Sequence, residues 1–202
     1  MNPVVVIGAG GHAREIVAAL QTPGAEEGDR PLLGVLADDD RRAGRLDRLG
    51  LSVIGPPERL KELEADYIVG VGDPGVRRRL DRQAEGWGRR SITVRHPSVI
   101  VGGDVEIGVG SYLAAGAVVT TNATLGRSVH VNVGASIHHD CELGDYTFVG
   151  PGARVAGWVT VGEGAFIGVG AVIKDEVSIG AGAVVGAGAV VIRDVEPGAT
   201  VV

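Results

Sequence analysis

Aromatic side chains are scarce in this chain, at 3% of residues: two Trp, three Tyr and two Phe. Large rings normally supply much of a core's buried area, so the interior has to be filled by Val, Ile, Leu and Ala, which dominate the 45% hydrophobic content. Cysteine occurs once, at Cys141, which excludes an intrachain disulfide and fits a reducing cytoplasm. The formal net charge is −6 and no block of basic residues interrupts the chain, so no nucleic-acid partner is expected. No leader pattern precedes the first apolar segment, and no uninterrupted apolar run reaches the roughly 18 residues of a membrane span. A cytoplasmic protein without a membrane span is the expectation. Glycine, by contrast, is abundant at 34 residues, most of them in the second half.

That second half keeps a count of six. From Val101 through Val191 every sixth residue is Val, Ile or Leu. Two places before each stands a small or β-branched residue, such as Ala117, Ala135, Cys141 or Ala165, and the residue after it is often glycine, as at Gly108, Gly126 and Gly150. An α-helix repeats every ~3.6 residues and a strand every ~2, so neither needs such a row. A coil with three flat sides does, and the spacing predicts a parallel β-helix of about five coils, stacked at ~4.8 Å. Cys141 occupies an inward small-residue position of this repeat, where packing rather than reactivity is expected.

Residues 1–95 read as strands alternating with helices. Val4 to Ile7 forms a buried strand entering Gly8-Ala9-Gly10-Gly11-His12, with a helix from Ala13 to Leu20. Further strands are expected at Leu32–Leu36, Val53–Gly55 and Tyr67–Val71, with helices from Pro57 to Leu63 and Val76 to Gln83. This order predicts a small Rossmann-like parallel sheet with its ligand beyond the carboxyl ends of the strands. Gly8, Gly10 and Ala13 fit G-x-G-x-x-A, a pattern that lets backbone approach a phosphate at a helix N-terminus. Alone it is compatible with NAD, another nucleotide or simple packing. The small domain and the side chain of His12 within the loop favour a nucleotide sugar over NAD. His96-Pro97-Ser98 marks the expected junction.

The six-residue pattern resembles the hexapeptide repeat of left-handed β-helix acyltransferases. The stretch VVVIGAGGHAREIV resembles the N-terminal domain of bacterial sugar acetyltransferases, the sialic-acid O-acetyltransferase and nucleotide-4-amino-sugar N-acetyltransferase group. The resemblance implies an α/β domain at 1–95 followed by an all-β left-handed parallel β-helix at 96–202. It also implies a homotrimer with active sites between subunits, acetyl-CoA as co-substrate and a nucleotide-sugar acceptor. In that family the loop, its His and an acidic pair hold the nucleotide, which here implies Gly10, Gly11, His12, Asp38 and Asp39, with Gly72 and Asp73 as weaker candidates.

Five histidines are present: His12, His96, His130, His138 and His139. A γ-class carbonic anhydrase site on a related β-helix needs convergent histidines, two of them five residues apart. The residues five after His130, His138 and His139 are Ala135, Leu143 and Gly144, so no metal is expected. Acyl transfer from a thioester needs proximity, a base and an oxyanion donor, and His is suited to the base role near neutral pH. The segment Asn132 to Cys141 resembles the family's active-site coil and implies His139 as the base, Asp140 as its acidic neighbour and Asn132 as a contact to the acceptor sugar. His138 reads as a wall or solvated residue. Nine residues after the base the amino-sugar enzymes often carry a second His, where this chain has Phe148, so a backbone N–H has to serve the oxyanion or the acceptor differs. Resemblance also places the coenzyme along Gly157, Gly168 and Val169, with Arg154 or Lys174 as a possible phosphate partner. N-acetylation of a nucleotide-linked amino sugar is the leading expectation. O-acetylation of a sialic-acid-type sugar and a non-catalytic nucleotide-binding or scaffolding trimer stand as alternatives.

Overall fold

A computed structural model of the chain describes residues 1–38 and 45–202. The N-terminal strands β1 (Val4–Ile7), β2 (Leu32–Leu36), β3 (Val53–Gly55) and β4 (Asp66–Val69) form a parallel sheet in the order β3-β2-β1-β4. Strand β1 is buried along its whole length because it is covered on both sides. Val4 and Val6 face Ile16, Val17 and Leu20 of helix α1 (Gly11–Leu20), while Val5 and Ile7 pack with Leu60, Tyr67 and Ala84. Helix α2 (Pro74–Gly86) carries Ala84 and starts earlier than its apolar pattern suggests. Asp73 caps it, accepting from Val76 N at 2.8 Å, and proline at the first helical position needs no donor there. The segment expected to be a helix after Pro57 is a single 3-10 stretch, Pro57–Lys61.

From Val94 onward the chain is a three-sided β-helix of two-residue rungs, each pairing in parallel with rungs 18 residues away, as in Thr124 with Glu142 and Ser136 with Arg154. Its first rung, Val94–Arg95, already pairs with Tyr112–Leu113, so the coil begins ahead of Pro97 and of the boundary expected at 95/96. The register holds to Val190–Val191, and the final turn is shorter, with Val184 opposite Thr200. The six-residue aliphatic row and the small residues two before it form one continuous core from Leu113 to Val191, loosening toward the two ends, where Val101 and Ile107 on one side and Ala199 and Val201 on the other are partly buried. Cys141 lies inside that core, its thiol directed at Ala156 O, and burial raises its pKa.

The three faces differ in what they turn outward. One presents Glu106, Thr124, Glu142, Thr160 and Ser178, all exposed; we call it the polar face. A second, the docked face, presents Tyr112, His130 and Phe148, which are buried beneath the N-terminal domain. The third, apolar face includes Ile100, Val172 and Val190, exposed by 63%, 41% and 67%. Between apolar and polar faces runs the Asp140 vertex, between polar and docked faces the Tyr146 vertex, and between docked and apolar faces a vertex of glycines.

Helix α2 holds the two domains together at the Tyr146 vertex. Arg77 is fully buried and donates to Ser128 O, Tyr146 O and Thr147 O of the β-helix, and to Val71 O and Gly72 O of its own domain. Burial pushes its pKa down to about 10, against the opposing pull of Asp73 and Asp81. One turn along, the buried carboxylate of Asp81 accepts from Tyr67 Oη and Tyr146 Oη, each at 2.8 Å, and from Arg127 Nε at 2.6 Å. The bond to Asp81 holds the Arg127 guanidinium charged. A buried charge without such partners would destabilise the fold by several kcal/mol.

Candidate functional site

Strand order reverses beside β1: β2 and β3 lie to one side and β4 to the other. The crevice beyond the carboxyl ends of these strands is a cleft of about 290 Å³ lined by Gly8, Ala9, Gly10, Ala37, Asp38, Val71, Arg79 and their neighbours. Gly8 has φ 122°, and a Cβ there would lie 3.0 Å from Gly70 O, so only glycine lets the loop pass β4 this closely. Gly10 is the N-cap of α1 and, with Asp38, borders the cleft. Gly11 is the exposed first residue of the helix. Arg79 of α2, which the sequence did not single out, adds a cation to the same walls. Asp39 lies outside the described residues.

Three other expected nucleotide contacts have other partners in the fold. His12 turns away from the cleft toward the β-helix: its Nε2 lies 2.7 Å from Nδ1 of His130, and its ring packs edge-on to Tyr112 and Phe148. His130 is fully buried, and burial, with Arg77 and His12 nearby, drives its pKa well below the usual value. The loop histidine thus locks the two domains rather than lining the cleft. Gly72 passes against Phe148, where a Cβ would stand 3.3 Å from the ring, so it too serves the docking. Asp73, besides capping α2, lines a separate opening of about 600 Å³ between the start of that helix and Phe166 and Val184.

The Asp140 vertex carries the candidate base. His138 and His139 follow the inward Ile137, and both are exposed. Asp140 turns the corner with φ 57°, a left-handed conformation that Asp tolerates, and this turn brings its carboxylate to its own neighbour's ring. Asp140 Oδ2 lies 2.8 Å from His139 Nδ1, while Oδ1 is 3.3 Å from Asn122 Nδ2 of the preceding coil. An ionised carboxylate only accepts, so Nδ1 carries the hydrogen and Nε2 is left with its lone pair. In the following coil Gly157 lies beneath the imidazole, and a Cβ there would fall 2.4 Å from its Cε1. Here glycine makes room for the imidazole itself.

Asn132 is 1% exposed and donates from Nδ2 to Val149 O of the next coil at 2.9 Å. Phe148 is on the docked face, stacked on Phe166 with ring centroids 4.7 Å apart, not at the Asp140 vertex. The coenzyme candidates split. Gly157 stands at the vertex of His139, whereas Gly168 and Val169 stand at the glycine vertex, with Val169 exposed by 56%. Arg154 donates to Gly134 O, and Lys174 is exposed two residues beyond Val172 of the apolar face. Among the described residues no cluster of His, Cys, Asp and Glu could hold a metal ion, and no helix is long and apolar enough to cross a membrane.

Known families and structures match this arrangement along its length. Residues 3–84 match the PglD N-terminal domain, and residues 122–157 and 159–193 match the bacterial transferase hexapeptide (six repeats). A histidine-to-asparagine mutant of perosamine N-acetyltransferase from Caulobacter crescentus, in complex with CoA and GDP-perosamine, is 34% identical with a TM-score of 0.90, over 99% of this chain and 93% of that one. The acetyltransferase domain of PglB from Neisseria gonorrhoeae, in complex with acetyl coenzyme A, is 34% identical with a TM-score of 0.85, over 98% and 95%. WeeI from Acinetobacter baumannii is 31% identical with a TM-score of 0.86, over 99% and 96%. Among curated proteins none matches. With both domains matched in order and over nearly its whole length, the chain belongs to the bacterial sugar acetyltransferase family that joins a PglD N-terminal domain to a hexapeptide β-helix.

Proposed function

We propose that this protein transfers the acetyl group of acetyl-CoA to the amine of a nucleotide-linked amino sugar, with His139 as general base. The observation that carries the reading is the imidazole fixed by Asp140 through Nδ1, half-exposed and with Nε2 free over the bare Gly157. The neutral amine attacks the thioester carbonyl carbon, and Nε2 takes the proton the nitrogen loses. Collapse of the tetrahedral intermediate expels the coenzyme thiolate, and the imidazolium returns the proton to sulfur. The products are the acetamido sugar and free coenzyme A. Asp140 stabilises the imidazolium between the two transfers, and Asn122 steadies the far oxygen of Asp140. A backbone N–H serves the oxyanion. Gly8, Gly10, Asp38 and Arg79 receive the nucleotide part of the acceptor, with Asp39 adjoining by sequence.

The active unit is a homotrimer with shared sites. A chain's own nucleotide domain covers the docked face, and the Asp140 vertex is the edge opposite that face. The width of the prism separates base from cleft, so the acceptor for one His139 comes from another copy. The exposed Ile100, Val133, Val172 and Val190 on and beside the apolar face supply a surface for that copy, whereas the polar face remains in water. The same arrangement unites Gly157 of one prism with Gly168 and Val169 of the next along one coenzyme groove. A cytoplasmic location, where acetyl-CoA is made, accords with the buried free thiol.

Replacing His139 by Ala tests the chemistry. Turnover with acetyl-CoA and a GDP- or UDP-linked amino sugar falls by roughly 10²–10⁴-fold, while thermal stability and oligomeric state stay unchanged. An undiminished rate removes His139 from the mechanism. Mixing and reassembling this variant with Gly8→Val, which blocks the cleft, restores about a quarter of the wild-type rate if sites are shared around a ring. No recovery places base and cleft in one chain.

A further inference from the structure

Each turn of the Asp140 vertex puts one residue into the left-handed region: Asp104, Asn122, Asp140, Trp158 and Glu176, with φ of 52°, 52°, 57°, 62° and 64°. Asp and Asn reach that conformation with help from their short polar side chains, but a bulky indole has no such help and is an outlier there. Trp158 is also 59% exposed, whereas Tyr112, Tyr146 and Phe148 are packed where the two domains meet. Strain and exposure together are two unfavourable terms with no return inside the fold, a combination that concentrates at ligand sites.

The indole stands beside the base. Its ring is edge-on to His139, with centroids 6.3 Å apart and planes at 83°. The residue before it is Gly157, whose missing Cβ leaves the space against the imidazole, 2.6 Å from Nε2. Because Asp140 occupies Nδ1, Nε2 is the reacting nitrogen of the imidazole that Trp158 meets edge-on.

We propose that Trp158 is a binding wall for the pantetheine arm of acetyl-CoA, holding the thioester over Gly157 beside His139. The proposal rests on the acetyl-transfer reading above. Its direction comes from the levels of the prism. The buried contacts of the nucleotide domain fall on Ser128, His130, Tyr146 and Thr147. Trp158 is one coil beyond His139 toward the C-terminus, past those buried levels, although an exposed ion pair from Arg78 reaches Glu163 farther along. In a trimer of parallel prisms the acceptor therefore approaches from the docked coils and the donor from the side of Trp158. Pantetheine is a flexible amide chain with apolar methylenes and a gem-dimethyl group. A fixed aromatic face buries those carbons, the indole N–H offers a donor to an amide carbonyl, and a preformed wall reduces the ordering cost of the arm.

Steady-state kinetics of wild type, Trp158→Asn and Trp158→Phe, with both substrates varied, test this. Asn suits the left-handed turn, so its variant folds, with a melting temperature equal to or above that of the wild type. Its KM for acetyl-CoA and its calorimetric Kd for coenzyme A rise about 10-fold, its KM for the amino-sugar nucleotide moves less than about twofold, and Trp158→Phe recovers most of the loss. An unchanged KM for acetyl-CoA overturns the proposal. So does a defect confined to the acceptor, or dissociation of the trimer, which would make the indole a subunit contact. A wild-type protein that neither binds coenzyme A nor transfers acetyl defeats the acetyl-transfer reading itself, whereas normal turnover by Trp158→Asn defeats only the role of the indole.

Discussion

The β-helix core and the seam between the domains are both well buried, yet they are built on opposite terms. In the prism each inward residue meets the same kind of neighbour one coil above and below, and Val, Ile, Leu and Ala, with the single Cys141, fill it from Leu113 to Val191. At the seam nothing repeats. Arg77, Asp81, Tyr67, Tyr146 and Arg127 form one hydrogen-bonded group, and His12 meets His130 in a pocket of aromatic rings. A repeating apolar core spreads its stability over many similar contacts, so one flaw stays local. A buried polar seam depends on every member being satisfied. The scarce aromatics are spent mainly there, because flat rings fill the irregular gap between a helix pair and a flat prism side.

Breaking the seam should therefore have the largest effect. Arg77→Ala takes the side-chain donor from Ser128 O, Tyr146 O, Val71 O and Gly72 O, while Thr147 O keeps His130 N, and opens a buried cavity, so a loss of about 3–5 kcal/mol is expected in urea unfolding. A loss below 1 kcal/mol would show that the seam is ordinary packing. Ile137→Ala, in the prism, should cost about 2–4 kcal/mol from lost burial and residual cavity, with rung pairing retained by circular dichroism. Equal losses for the two variants would blur the contrast drawn above.

The smallest effect is a pH dependence confined to the seam. His130 is held neutral in the fold, with its pKa pushed down, while in the unfolded chain it titrates near 6.5. Its stabilising contribution is fully present above that value and is lost as pH falls through 6.5 toward the folded pKa, with a slope of at most ~1.4 kcal/mol per pH unit. Melting curves between pH 5 and 8 should show this limb in the wild type and lose it in His130→Phe. A limb that persists in the variant assigns the dependence to other groups.

Legibility follows the same division. The count of six announced the prism, its inward row and the buried thiol, since each of those contacts recurs at a set interval. His139 and Asp140 were legible as a pair by resemblance, but not as a hydrogen bond, because that depends on the left-handed turn at Asp140. His12, Gly72, Asp73 and Asn132 were assigned to substrate from the sequence. In the structure they serve docking, helix capping and coil stacking. The cation of Arg79 in the cleft and the roles of Arg77 and Asp81 went unread, although their i, i+4 spacing on α2 places those two on one face.

By itself the sequence determined the three-sided coil and the small parallel sheet, because strand pairing at a constant interval and alternation of strand with helix are local rules that composition obeys. Only the tertiary structure decided that His12 faces His130, that the N-terminal domain lies across the prism from His139, and that Trp158 stands exposed beside that histidine. Those contacts join residues such as Arg77 and Tyr146 that are far apart in the chain, share no period and form only when two finished surfaces meet.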